Sequence, residues 1–205
     1  MQGYILNIKK AKNEDTVVSI LTRERIVTLY RFYGARHSIV TTGYKIDFEM
    51  EQDSVQFMPK LRNIIHLGYP WITDMDRMRV WQNFIALLYR HLKDIELPGR
   101  FYFDMLESCA SIWHLQNPKR GAIEAYLRLL EHEGRLHTPD YCFSCGRKLE
   151  GKSSLIRAFL PAHPECVIAP KFETKRVARA IESLSTIELD DKEVESMWLI
   201  MGEGF

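Results

Sequence analysis

Cys142 and Cys145 are separated by two residues and, after seventeen intervening residues, His163 and Cys166 are separated by two more. Each short pair closes a tight knuckle, and the loop between them lets both pairs face one ion. Soft thiolate and imidazole donors at this spacing point to a tetrahedral zinc site. Gly146 follows Cys145 directly, where a residue without Cβ takes positive φ and turns its amides toward sulfur. His163 serves such a site only as the neutral imidazole. The competing reading makes Cys142, Cys145 and Cys166 small buried hydrophobes. A redox CxxC fits less well, because no strand-then-helix context precedes it.

A site of this kind needs elements to hold it. From Asp74 onward apolar residues recur at helical intervals, at Met75, Met78, Trp81, Ile85, Leu88 and Leu92, with Thr73 or Asp74 as the cap. Phe101 to Leu115 reads as a second helix stopped by Asn117-Pro118, and Ala122 to Leu136 as a third. After the metal loop, at about 140–168, Lys175 to Leu184 and Asp191 to Ile200 read as closing helices. Residues 1–68 read as strands: Tyr4 to Ile8, Val17 to Leu21, Arg25 to Phe32, Thr42 to Met50, Val55 to Phe57 and Leu61 to Leu67. Short strands at this spacing suggest a small barrel or sandwich. The expected fold is therefore α+β in two domains. Residues 1–70 form a five-stranded oligonucleotide-binding (OB-fold) barrel, and residues 71–205 form an all-helical domain with a zinc-knuckle loop.

The chain has 205 residues, 46% of them hydrophobic, and a formal net charge of +1, so its overall charge does not mark a nucleic-acid binder. The distribution of charge is more telling. Arg23, Arg25, Arg31, Arg36 and Lys45 face a single acid, Glu24, and then Asp47, Glu49, Glu51 and Asp53 follow with no base among them. The basic residues alternate with Tyr30, Phe32, Tyr33 and Tyr44. Cations that track phosphates beside rings that stack on bases are how single strands are gripped. Strand periodicity places Arg25, Arg31 and Tyr33 on one face, expected outside, and Ile26, Thr28, Tyr30 and Phe32 on the other, expected in the core. The acidic run, with period two, reads as a solvated strand face rather than a cation site. No serine elbow, phosphate-binding glycine loop or HExxH occurs, so an enzyme is not expected. Met1 to Lys10 lacks a long apolar run, and four cysteines, three of them in the metal motif, suit a reducing compartment. The expected location is cytoplasmic and nucleoid-associated, without membrane.

Taken together, these residues resemble the bacterial recombination mediator family RecO. Tyr4-Ile5-Leu6 matches its first barrel strand, and Tyr33-Gly34-Ala35-Arg36 with Ser38 matches its glycine-basic turn. Cys142-Phe143-Ser144-Cys145-Gly146, Leu149 and His163-x2-Cys166 match its zinc motif. The resemblance implies binding to single- and double-stranded DNA, annealing of complementary strands, and loading of RecA, with RecR, onto strands coated by single-stranded DNA-binding protein. It also implies docking of the acidic C-terminal tail of that protein. The expected DNA contacts are Arg23, Arg25, Arg31, Tyr33, Arg36, Tyr44 and Lys45, and the expected tail contacts are Arg120 and Arg128. A zinc-ribbon adaptor that contacts only protein is the alternative.

Overall fold

A computed structural model describes residues 1–36, 39–52 and 57–204. Ser38 of the glycine-basic turn, Asp53 of the acidic run and Val55-Gln56 of the expected strand lie outside the described residues. Contacts divide the chain into two compact units, Met1–His114 and Leu115–Phe205.

In the first unit five strands, β1 (Gln2–Lys10), β2 (Thr16–Thr22), β3 (Ile26–Arg31), β4 (Lys45–Glu51) and β5 (Lys60–His66), close into a barrel of order β1-β2-β3-β5-β4. Neighbours are antiparallel except β3 and β5, which meet in parallel at Tyr30 and Lys60, and β4 returns to β1 through Gln2–Asp47. Closure pairs both edges of each described barrel strand. Ile5, Val18, Ile20, Val27, Leu29, Ile46, Phe48 and Leu61 fill the interior.

Tyr4, Ile5 and Leu6 are all buried, although a half-exposed strand would alternate. Ile5 points into the barrel. Tyr4 points the other way, against the rings of Trp81 (6.1 Å between centroids) and Phe103 (5.7 Å). Those rings belong to helices α1 (Met75–Leu92) and α2 (Arg100–Ile112). Asp74 caps α1 by accepting the N–H groups of Asp76 and Arg77. Trp71, Trp81 and Trp113 cluster with centroids 5.0–6.0 Å apart. Each indole N–H donates to a backbone carbonyl, of Ala110, Gly43 and Arg77 respectively, so the rings are buried without leaving a donor unpaired. Gly43 has φ +88°, and a Cβ there would lie 2.7 Å from Trp81, so only glycine lets α1 approach this closely. β5 ends at His66 and α1 begins at Met75, whereas the compact unit runs on to His114, because α1 and α2 cover the outer face of β1.

The faces of β3 are the reverse of the expected ones. Val27 and Leu29 are the buried positions, so the odd-numbered side chains, Arg31 with them, point inward, while Thr28, Tyr30 and Phe32 face out. Residues 26–32 carry apolar or aromatic side chains in both registers, and period two alone cannot choose between two such faces.

The second unit contains α3 (Pro118–His132), a three-stranded sheet of order β7-β6-β8 formed by β6 (Lys152–Ile156), β7 (Leu160–Ala162) and β8 (Lys171–Glu173), and helices α4 (Thr174–Ser183) and α5 (Asp191–Gly202). Asn117 and Pro118 start α3 rather than only stopping its predecessor. Asn117 accepts the Lys119 N–H, and Pro118 occupies the first turn, where its missing N–H is not needed. The sheet was not apparent in the sequence, since strands of three to five residues are too short to display alternation. Ala122, Ile123, Ala125, Tyr126, Leu127, Leu129 and Leu130 are all buried on α3, and the Tyr126 ring meets Phe159 edge-on at 5.0 Å. Asp190 and Glu193 form a capping box at the start of α5. No helix among the described residues is long and apolar enough to cross a membrane.

Candidate metal centre and nucleic-acid interface

Cys142, Cys145, His163 and Cys166 converge, with their donor atoms all within 4.8 Å of one another. Two turns produce this. Gly146, at φ +69°, donates its N–H to the Cys142 carbonyl (2.8 Å), and Cys142 N–H donates to Arg147 (2.9 Å), which closes the first knuckle. The second knuckle closes where Cys166 N–H donates to the His163 carbonyl (2.9 Å), and Phe143 N–H ties the first to Pro161 (2.9 Å). Leu149 and Ala162 pack against Cys142 from below. Sulfur atoms on a zinc tetrahedron with bonds of about 2.3 Å sit roughly 3.8 Å apart, so the observed spacing can hold such an ion with little movement.

The histidine is oriented for the role. Its Nε2 lies 3.0 Å from the Lys148 carbonyl, which can only accept, so Nε2 carries the hydrogen and the lone pair of Nδ1 faces Cys145 at 3.3 Å. Burial pushes the Cys142 thiol up. The N–H groups of His163, Cys145 and Ser144 outweigh it and bring the thiol down to about 6. The Arg147 N–H and guanidinium lower Cys145. Burial, followed by the neighbouring sulfurs, pushes Cys166 up to about 11. Gathering three thiolates is unfavourable unless a cation joins them, and this donor set can hold a metal. Among the described residues it is the one group of three or more such side chains close enough to do so.

The basic residues between Arg23 and Lys45 divide into two sets at opposite ends of β3, about 17 Å apart at strand rise. At the first end Arg23 pairs with Asp104 (3.0 Å) and Lys45 with Glu107 (2.8 Å), and both cations lie about 6 Å from the Phe103 ring. Lys45 is largely covered, and Tyr44 stacks on His66 at 4.3 Å. Arg25 is exposed in the β2–β3 turn. At the second end Arg36 pairs with Glu14 and lies 5.3 Å from the exposed Tyr33 ring. Asp15 accepts the Tyr33 N–H (2.7 Å) and the Tyr30 hydroxyl, fastening the start of β2 to the end of β3. Arg31 is half-buried. Its Nη1 donates to the Leu61 carbonyl (3.0 Å), its Nε has no partner, and burial with the adjacent Arg62 lowers its pKa.

Residues 1–72 match the family model described as RecO N terminal. Over these residues the chain is similar to the RecO N-terminal domain. No curated protein matches the chain.

The barrel brings further residues to its second end that the charge run did not include. Lys60 and Arg62 on β5 sit 5.8 and 5.9 Å from the Phe32 ring, and Phe57 and Met58 lie beside it. Their signal was present in Lys60-Leu61-Arg62, where two cations flank one buried leucine, but only the β3–β5 pairing joins them to Phe32. The acids of β4 are spread along the strand instead of converging. Asp47 holds the N-terminal ammonium (3.0 Å), Glu49 accepts from Asn63 (2.5 Å) and Glu51 pairs with Arg62 (2.7 Å). In the second unit the Arg120 guanidinium donates to the Thr186 and Leu189 carbonyls (2.6 and 3.0 Å) and to Asp191 (2.9 Å), whereas Arg128 is exposed on α3.

Proposed function

We propose that this protein is a non-catalytic recombination mediator of the RecO type. It binds single- and double-stranded DNA, anneals complementary strands and, with RecR, helps load RecA onto strands coated by single-stranded DNA-binding protein. The observation that carries this reading is the RecO N-terminal match over a closed barrel of OB strand order. The physical support is the second barrel end, where Arg36, Lys60 and Arg62 stand among Phe32, Tyr33 and Phe57, while Arg31, expected as a contact from sequence, is turned inward onto the Leu61 carbonyl. Cations there neutralise phosphates, which lowers the repulsion between two strands being aligned. Tyr33 and Arg36 are the contacts expected from sequence that are exposed at this end, with Arg23, Arg25, Tyr44 and Lys45 as a second set at the other end of the barrel. Zinc is the proposed resident ion, bound through three sulfurs and His163 Nδ1, and its role is structural because the donors leave no open position. Arg128 is the proposed contact for the acidic tail of single-stranded DNA-binding protein. Arg120, spent on two carbonyls and Asp191, instead fixes the loop before α5.

Salt dependence of oligonucleotide binding tests this reading. Replacing Arg36 and Arg62 together by alanine is expected to reduce the slope of log affinity against log salt by about two phosphate contacts, at roughly 0.7 per contact for single strands. An unchanged slope places the DNA surface elsewhere. Absence of any binding at low salt favours the adaptor reading.

A further inference from the structure

The outward face of β3 and the chain entering β5 enclose an open pocket of about 480 Å³ lined by Tyr30, Phe32, Phe57, Met58 and Lys60. Its walls are unusual for a solvated surface. Phe32 is 42% exposed, Met58 45% and Phe57 70%, while Tyr30 braces Phe32 edge-on at 5.1 Å. Apolar side chains this exposed and this close together mark a binding site more often than an ordinary surface. The volume falls within the roughly 300–1,000 Å³ range of small-ligand pockets. Lys60 and Arg62 rim the pocket, each close to the Phe32 ring. Tyr30 is held in place from behind, since its hydroxyl donates to Asp15.

We infer that this pocket is a subsite for one unpaired nucleobase, whose adjoining phosphate is met by Lys60 and Arg62, and that it gives the barrel preference for single strands. The inference rests on the DNA-binding reading above and adds to it the residues that distinguish single strands from duplex. An aromatic wall takes any base by stacking, and a cationic rim fits a ligand with an anion beside each apolar ring, which is the repeat of a nucleotide chain. A duplex keeps its bases stacked inside and offers only phosphates. It reaches the cations and leaves the aromatic wall empty. Glu51 acts in opposition. Its carboxylate pairs with Arg62 at 2.7 Å and competes with an incoming phosphate for the same guanidinium.

The test uses the full-length protein with fluorescent single-stranded and duplex oligonucleotides of equal length. Phe32→Ala is expected to weaken single-strand binding about tenfold, the lower part of the range for loss of one stacked base, with duplex affinity changed less than about twofold. Glu51→Gln is expected to strengthen single-strand binding and steepen its salt slope by about one phosphate. Duplex affinity and the thermal transition of each variant report whether the barrel has stayed folded. A second probe needs no variant: the unaltered protein is expected to quench 2-aminopurine in a single strand and to bind an oligonucleotide of abasic sites more weakly. Equal single-strand affinity for Phe32→Ala, together with equal affinity for abasic strands, overturns the inference while leaving DNA binding intact. Failure of the unaltered protein to bind either DNA at low salt overturns the DNA-binding reading itself.

Discussion

Replacement of Cys142 by serine is expected to abolish metal retention and to unfold the two knuckles around it. Cys142 is 1% exposed, and its sulfur accepts the His163 N–H at 3.3 Å, so the residue is both a donor to the proposed ion and part of the packing with Leu149 and Ala162. The knuckles are joined by the Phe143 to Pro161 bond, and Tyr141 and Lys148 form a single isolated bridge. Structural zinc contributes on the order of 10 kcal/mol in isolated finger peptides. A third of that, in a unit of about 60–100 residues, lowers Tm by roughly 13–27 °C. Elemental analysis should fall from one zinc per chain to none, and the transition of the second unit should drop within this range. Full zinc content with an unchanged transition would sink the assignment. Acid should mimic the substitution, because protons compete with the ion for every thiolate, so retention is expected to be lost as pH falls and regained as it rises.

The second large effect belongs to Trp81. The side chain is fully buried among Tyr4, Trp71, Phe84 and Trp113, and its indole donates to the Gly43 carbonyl at 2.8 Å. Trp81→Ala removes the ring that fills the space between α1 and β1 and leaves a buried carbonyl unpaired. The expected cost is about 3–5 kcal/mol, a large share of the stability of a single domain. Trp81→Phe keeps most of the packing and loses the hydrogen bond, for about 1 kcal/mol. Urea denaturation followed by circular dichroism should separate the two variants clearly. Equal midpoints for both would mean that the space collapses around the smaller side chain and that α1 is not anchored through this ring.

The metal cluster was legible because its information is local. Two CxxC-like pairs and a glycine specify turns whose hydrogen bonds lie within a few residues, and the loop between them only has to close. The barrel was legible as a run of short strands for a similar reason, since turns at Asn13 and Gly43 interrupt apolar segments. The face of β3 was not legible. Ile26 to Phe32 is apolar in both registers, and its orientation is set by which side meets Ile20 and Leu61 across the barrel. The second sheet was hidden by length, as β7 and β8 have three residues each. Arg120 and Lys45 read as surface cations from composition, but their partners Asp191 and Glu107 lie about 70 and 60 positions away in sequence, where no local pattern can announce them.

Residue types and spacing alone were enough to locate a soft four-donor set, a small β domain ahead of helices, and an excess of cations between Arg23 and Lys45. Only the folded chain decided which of those cations share a surface. It separated Lys45 and Arg23, drawn to the acids of α2, from Arg31 and Arg36, and it brought Lys60 and Arg62 to Phe32 from thirty residues away through the parallel meeting of β3 and β5. The reason is physical. A knuckle is fixed by bonds between neighbours in sequence, whereas a binding face is assembled by strand register and helix cover, which depend on the apolar core as a whole.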